Sequence, residues 1–118
     1  MKDLKSQFMT PRLHKYLTDA HSATSAISQF VKGRTQDDFF NDLFFRSAVE
    51  RQFEILGEAL NLASKEKEDL ELEIPDLWKI IGLRNRIIHG YDTVDDELVW
   101  DISQRKIPLL HQRLEELL

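Results

Sequence analysis

Four side chains capable of chemistry fall within the eight residues Arg84-Asn85-Arg86-Ile87-Ile88-His89-Gly90-Tyr91. Arg84 is a permanent cation, Asn85 an amide, His89 a base that titrates near neutral pH, and Tyr91 a phenol. At about 100° per residue, Leu77, Ile80, Ile81, Leu83, Ile87 and Ile88 share one apolar arc, and Arg84 points into the middle of it. Arg86 falls on the opposite face. A guanidinium does not lose its charge, so one facing the core needs carboxylate or phosphate partners. Glu54 and Glu58, earlier in the chain, are the candidate carboxylates. Asn85 and His89, at i and i+4, sit together at the border of the arc. Gly90 reads as the helix stop, with Tyr91 on the turn beyond it. A helix end carrying this set suits an anionic ligand, phosphate above all.

The elements that position these residues are predicted to be helices. Four Gly and three Pro in 118 residues, no alternating runs and long 3.6-period runs indicate an all-α chain. The first helix opens at Thr10-Pro11, carries Leu13, Tyr16, Leu17, Ala20, Ile27, Phe30 and Val31 on one face, and ends at Gly33. His14 and His21, at the edge of that stripe, read as partly exposed edge residues rather than a metal pair. A second helix of about thirty residues starts near Thr35, with Asp37 and Asp38 favouring its positive end. Phe45, Val49, Phe53, Leu56, Ala59, Leu60 and Ala63 make its core face. Beside them Arg51, Glu54, Ile55, Glu58 and Leu62 form a mixed stripe. That stripe is an interface, the wall of a site, or a surface ladder of ion pairs.

The acidic stretch KEKEDLELE, residues 65–73, is expected as a solvated helix end and loop. Pro75 restarts the chain into the helix bearing Trp78 and the Arg84 motif. After a short turn at Asp92-Thr93, Asp95, Asp96 and Glu97 open a last helix. Leu98, Val99, Ile102, Ile107, Leu110 and Leu114 form its apolar face. Pro108 predicts a kink there, about one turn earlier.

Length and composition bound the rest. The 118 residues form one domain, with 1–9 as a lead and 64–74 as the acidic loop, and suffice to bury roughly two-thirds of the unfolded surface. With 42% hydrophobic and 31% charged residues the chain reads as a folded globule. Absent cysteine removes disulfides and thiolate zinc sites, in keeping with a reducing compartment. No signal-like or membrane-spanning run is present, so the expected location is the cytoplasm. A net charge of −5 argues against a general nucleic-acid coat, while leaving room for a small basic site in an acidic shell.

The wider pattern is more specific than the motif alone. RSAVERQFEILGEA, WKIIGLRNRIIHGY, VDDELVWDI and IPLL occur in that order, and from about Met9 onward the chain resembles the HepT-like branch of the HEPN superfamily. The signature of that branch is R-x-x-x-x-H-x-Y, commonly with Asn after the Arg. Arg84, Asn85, His89 and Tyr91 match it position by position; the acidic stretch before Pro75 departs from it without touching the motif. The resemblance implies an up-and-down four-helix bundle, with room for one extra short helix, paired as a two-fold homodimer with the two motifs facing each other. It implies a metal-independent endoribonuclease toxin of a type VII-like toxin–antitoxin pair. The implied partner is a minimal (MNT-type) nucleotidyltransferase antitoxin that uses Mg-ATP to place AMP on Tyr91; no metal or cofactor is implied for this chain itself.

The residues suit that chemistry. RNA supplies its own nucleophile, the 2′-OH, so His89 can serve as general acid–base and Arg84 can stabilise the charge gathering on phosphorus. Asn85 can orient the histidine or a non-bridging oxygen, with Arg51, Glu54 and Glu58 in support. A phenol with an ordinary pKa near 10 is a poor base at neutral pH, which leaves Tyr91 better suited to accept a nucleotidyl group. Two other readings stand beside this one: a non-catalytic HEPN domain that binds nucleotide or docks a nucleotidyltransferase, and a helical interaction module using the mixed stripe.

Overall fold

Short polar side chains set where the helices begin. The structure, a computed structural model, describes residues 9–89 and 95–118, and for His89 the backbone alone. Helix α1 spans Pro11–Val31, with the Thr10 hydroxyl accepting from the Leu13 N–H and proline at the first helical position. It ends where Gly33 takes φ +73°, a left-handed conformation that costs a residue without Cβ little.

The second predicted helix is two helices. Thr35 and Asp38 cap α2 (Gln36–Asn41) reciprocally, each side chain accepting from the other's backbone N–H. The chain then leaves helical geometry at Asp42, whose carboxylate accepts from the Phe45 N–H and starts α3 (Leu43–Glu66). The break turns Phe39 fully inward, onto the rings of Phe45 and Trp100. Arg46 holds it by donating to the Phe39 and Phe40 carbonyls at 3.2 and 2.8 Å. No glycine or proline marks this break, so the hydrophobic period runs straight through it.

The acidic stretch is also more than a solvated loop. It contains a 3₁₀ turn at Leu70–Leu72, and Leu70 and Ile74 are buried in the core. Arg113 grips the segment, donating to the Glu73 carbonyl and its carboxylate, both at 2.7 Å.

Helix α4 spans Leu77–His89. Asp95 caps α5 (Asp96–Arg105), and α6 (Ile107–Leu117) follows with a junction only at Lys106. That junction is the expected kink, two residues before Pro108, which cannot donate to a carbonyl one turn back. The expected turn at Asp92-Thr93 and the stop at Gly90 lie outside the described residues.

Helix α3 is the central element, packed along α1 on one side and α4 on the other, while α6 lies against α1. The seven core-face residues expected for this stretch are all buried. Elsewhere the arcs are narrower than their sequence pattern: Phe30, Ile88 and Leu98 are exposed at the margins. Among the described residues there is no strand, and no helix is long and apolar enough to cross a membrane.

Candidate active site

Arg84 owes its position to a glycine on the neighbouring helix. Gly57 is buried in α3, and a Cβ there would land on the Cβ of Arg84 and 2.7 Å from its Cγ. The missing side chain lets α4 press its Arg84 backbone against α3, and the aliphatic stem of the arginine fills the notch. Among the described residues the head then has two partners. Nη2 meets Glu58 Oε2 at 2.7 Å and Nη1 donates to Asn85 Oδ1 at 2.8 Å. Nε is buried and has no hydrogen-bond partner among the described residues. The arginine side chain is 25% exposed and Glu58 is 45% exposed, so the pair closes the core on one side and meets solvent on the other.

The pair opens into a groove of about 510 Å³ whose walls come from α1, α3 and α4. The whole mixed stripe of Arg51, Glu54, Ile55, Glu58 and Leu62 lines it, together with Arg84 and Ile88. Its role as the wall of a cavity is thereby met by geometry. Arg51 pairs with Glu54 at 3.0 Å, so Glu58 and not Glu54 is the carboxylate on Arg84. From α1, Lys15, Tyr16, Asp19 and Ser22 complete the lining, and Lys15 pairs with Asp19 at 2.8 Å. Sequence reading placed Tyr16 on the core face and overlooked this contribution of α1. Gly57 was also overlooked; its one available signal is a glycine inside a long helical run, where it costs about 1 kcal/mol relative to alanine without a packing reason.

Asn85 is exposed beside Arg84. His89 is the last residue of α4, four positions after Asn85 and therefore on the same side of the helix backbone. Its side chain and the whole of Tyr91 lie outside the described residues. Arg86 lies on another face, near Trp78, Lys79 and Leu98. The metal-ligating atoms that come together among the described residues belong to His21, His111 and Glu115, and none of the three lines the groove. His14 is exposed and takes no part in that group.

The family profile described as "Ribonuclease HepT-like" matches residues 20–117, which takes in the α3 and α4 walls of the groove and the whole Arg84–Tyr91 motif. The chain belongs to the HepT-like ribonuclease family. Three relatives agree in length as well as sequence. A protein of Caldanaerobacter subterraneus subsp. tengcongensis named "Putative RNase TTE0752" is 33% identical over 92% of this chain and 95% of its own. "Probable ribonuclease HepT" of Thermococcus cleftensis is 34% identical over 90% of this chain and 96% of its own. "Putative RNase MJ1380" of Methanocaldococcus jannaschii is 31% identical over 85% and 91%. No solved structure matches the chain. For this HepT-like chain, the resemblance carried by the motif and the all-α fold therefore agree with the family profile.

Proposed function

We propose that this HepT-like ribonuclease is the toxin of a type VII-like toxin–antitoxin pair, cutting RNA without a metal and silenced by AMP transfer to Tyr91. The observation that carries the reading is Arg84 held in the groove wall with its head on an exchangeable carboxylate. Glu58 occupies the guanidinium much as a phosphate would, through charge-assisted hydrogen bonding, and its partial exposure lets an RNA phosphate compete for the same donors.

His89 takes the proton of the RNA 2′-OH as its oxygen bonds to phosphorus. Arg84 stabilises the added negative charge, the P–O5′ bond breaks, and a protonated histidine delivers a proton to the departing 5′ oxygen. The products are a 2′,3′-cyclic phosphate and a free 5′-hydroxyl. In a two-fold homodimer across the groove, half-buried Ile55 and Leu62 and exposed Ile88 gain cover, and one protomer's His89 can act as base while its partner's acts as acid. AMP on Tyr91 brings a phosphodiester charge that competes for Arg84, and bulk that blocks the approach to His89.

One set of samples tests the reading. Purified protein in EDTA, its helicity checked by circular dichroism, is expected to cleave single-stranded or tRNA-like RNA to 2′,3′-cyclic ends and to spare DNA of the same sequence. His89→Ala is expected to lose nearly all of that cleavage. A requirement for added magnesium, or undiminished cleavage by His89→Ala, overturns the mechanism. Co-expression with an MNT-type nucleotidyltransferase is expected to raise the intact mass in multiples of AMP, and Tyr91→Phe to stay unmodified and active. Nucleotide binding without any RNA cleavage would point instead to a non-catalytic HEPN domain.

A further inference from the structure

Away from the groove, helices α1 and α6 meet through two histidines and one carboxylate. The imidazoles of His21 and His111 stack with centroids 4.4 Å apart and planes inclined by 23°. Both present Nε2 to the same oxygen: Glu115 Oε1 lies 3.2 Å from His21 and 3.3 Å from His111. The three ligating atoms lie within 4.8 Å of one another.

Proton counting makes this arrangement informative. The Thr24 hydroxyl, fully buried, has a single hydrogen, and it donates that hydrogen to the His21 carbonyl at 2.7 Å. Its 3.0 Å contact with His111 Nδ1 is then a bond that the hydroxyl oxygen accepts. His111 thus carries a proton on Nδ1, which also lies 3.5 Å from Ser25 Oγ, and in that tautomer the lone pair of Nε2 faces a carboxylate oxygen. That 3.3 Å contact is closed either by a second proton on His111, as an ordinary histidine–carboxylate pair, or by a bound cation. A histidine that ligates a metal has this environment: its far nitrogen donates to a fixed neighbour, which sets the tautomer and aims the near nitrogen at the ion.

We propose that His21, His111 and Glu115 bind one divalent transition ion of the zinc class, with Thr24 as the positioning residue behind His111. Two imidazoles and a carboxylate suit zinc, with water in the fourth place. Bond lengths of about 2.0–2.1 Å in a tetrahedron separate neighbouring ligand atoms by about 3.4 Å. The two nitrogen–oxygen distances are already close to that edge, while the stacked rings, inclined by 23°, have to turn for both Nε2 lone pairs to meet one ion. The histidine side chains are 26% and 28% exposed and Glu115 is 59% exposed, which leaves the ion a route from solvent. A bound ion would tie residues 94 positions apart, fastening α6 to α1. This clasp is structural, and it stands whether or not the ribonuclease mechanism above is right.

Titration calorimetry of the EDTA-stripped full chain with Zn²⁺ alone tests the site, and Co²⁺ substitution gives visible bands diagnostic of four-coordination. Wild type is expected to bind one equivalent per chain and to melt at a higher temperature when loaded. His111→Gln and His21→Gln are each expected to abolish that equivalent. Glu115→Gln, a change at an exposed position that leaves folding intact, is expected to weaken it, and Thr24→Val to weaken it roughly 10–100-fold. No saturable binding by folded wild type overturns the proposal. So does unchanged binding in Glu115→Gln and the two histidine variants, which would assign the metal to other residues.

Discussion

Helix α3 carries an arginine–carboxylate arrangement towards each end, and the two are built for different work. Near its start, Arg46 gives its guanidinium to the main chain, donating to the carbonyls of Phe39 and Phe40. Glu50 and Asp96 stand back from it, each at 3.8 Å. Further along, Glu58 meets the Arg84 head directly at 2.7 Å, and among the described residues the other partner of that head is the Asn85 side chain. Main-chain carbonyls at a helix end cannot be exchanged for a ligand without undoing the fold. Side-chain partners at a groove can. Arg46 is thereby fixed as a fastener of α2 to α3, whereas Arg84 is stored on a carboxylate that an anionic ligand can replace.

The largest effect should separate these two arginines. Arg84→Ala is expected to cut single-turnover RNA cleavage by about 10²–10³, the usual loss for one donor to a developing oxyanion, and to lower its urea midpoint moderately through the lost packing of its stem. Arg46→Ala should cost about 1–3 kcal/mol of stability while the folded fraction still cleaves. Equal loss of cleavage in both variants would erase the distinction.

Gly57→Ala comes next. The added Cβ meets the Arg84 Cβ, close to the backbone, so the conflict cannot be relieved by swinging the end of a flexible chain. Helices α3 and α4 have to separate, at an expected cost of about 1–3 kcal/mol, and Arg84 is displaced with them. Chemical denaturation read beside cleavage checks this; a variant as stable and active as wild type would refute the notch.

Glu58→Gln sharpens the idea of a stored arginine. Because Glu58 is 45% exposed, solvent screening holds its contribution to stability to no more than about 1 kcal/mol. Substrate no longer competes with a carboxylate, so KM for RNA is expected to fall. A rise in KM would instead make Glu58 part of substrate binding.

The smallest effect concerns pH at the other end of α3. Burial pushes the Glu50 carboxyl up from its usual 4.5, helped by nearby Asp96 and Glu54 and opposed by Arg46. A raised folded-state pKa means that the folded chain holds this proton more tightly than the unfolded chain. Its stabilising contribution is full below pH 4.5 and is lost as pH rises through the higher folded value. Glu50→Gln is therefore expected to match or slightly exceed wild-type stability at pH 7, by a few tenths of a kcal/mol up to about 1 kcal/mol. The difference should vanish on acidification. The capping carboxylates run the other way. Backbone N–H donors hold Asp38 and Asp42 below 3.8, so their support is complete at neutral pH and fades only as pH falls below about 4.

Much of this protein was decided by the order of its residues alone. Thr10-Pro11, Gly33 and Asp95 fix helix ends through local bonds and dihedral preferences that need no distant partner. The 3.6-residue period assigns Val49, Phe53, Leu56 and Leu60 to the core for the same reason. The Arg84–Asn85–His89–Tyr91 spacing is likewise local, and together with the wider pattern around it, it pointed to the family without help from the fold. The remainder required the packed molecule. Asp42 breaks a run without proline or glycine, because burying Phe39 against Trp100 outweighs continuing the helix. Nothing in the sequence separates Glu54 from Glu58 as the partner of Arg84; the crossing of α3 and α4 at Gly57 does. His21 and His111 stand ninety residues apart along the chain, and only the docking of α6 on α1 makes them neighbours. Local rules act through covalent geometry and hydrogen bonds a few residues long, so they can be read along the chain. Which side chains meet across helices depends on burying the whole core at once.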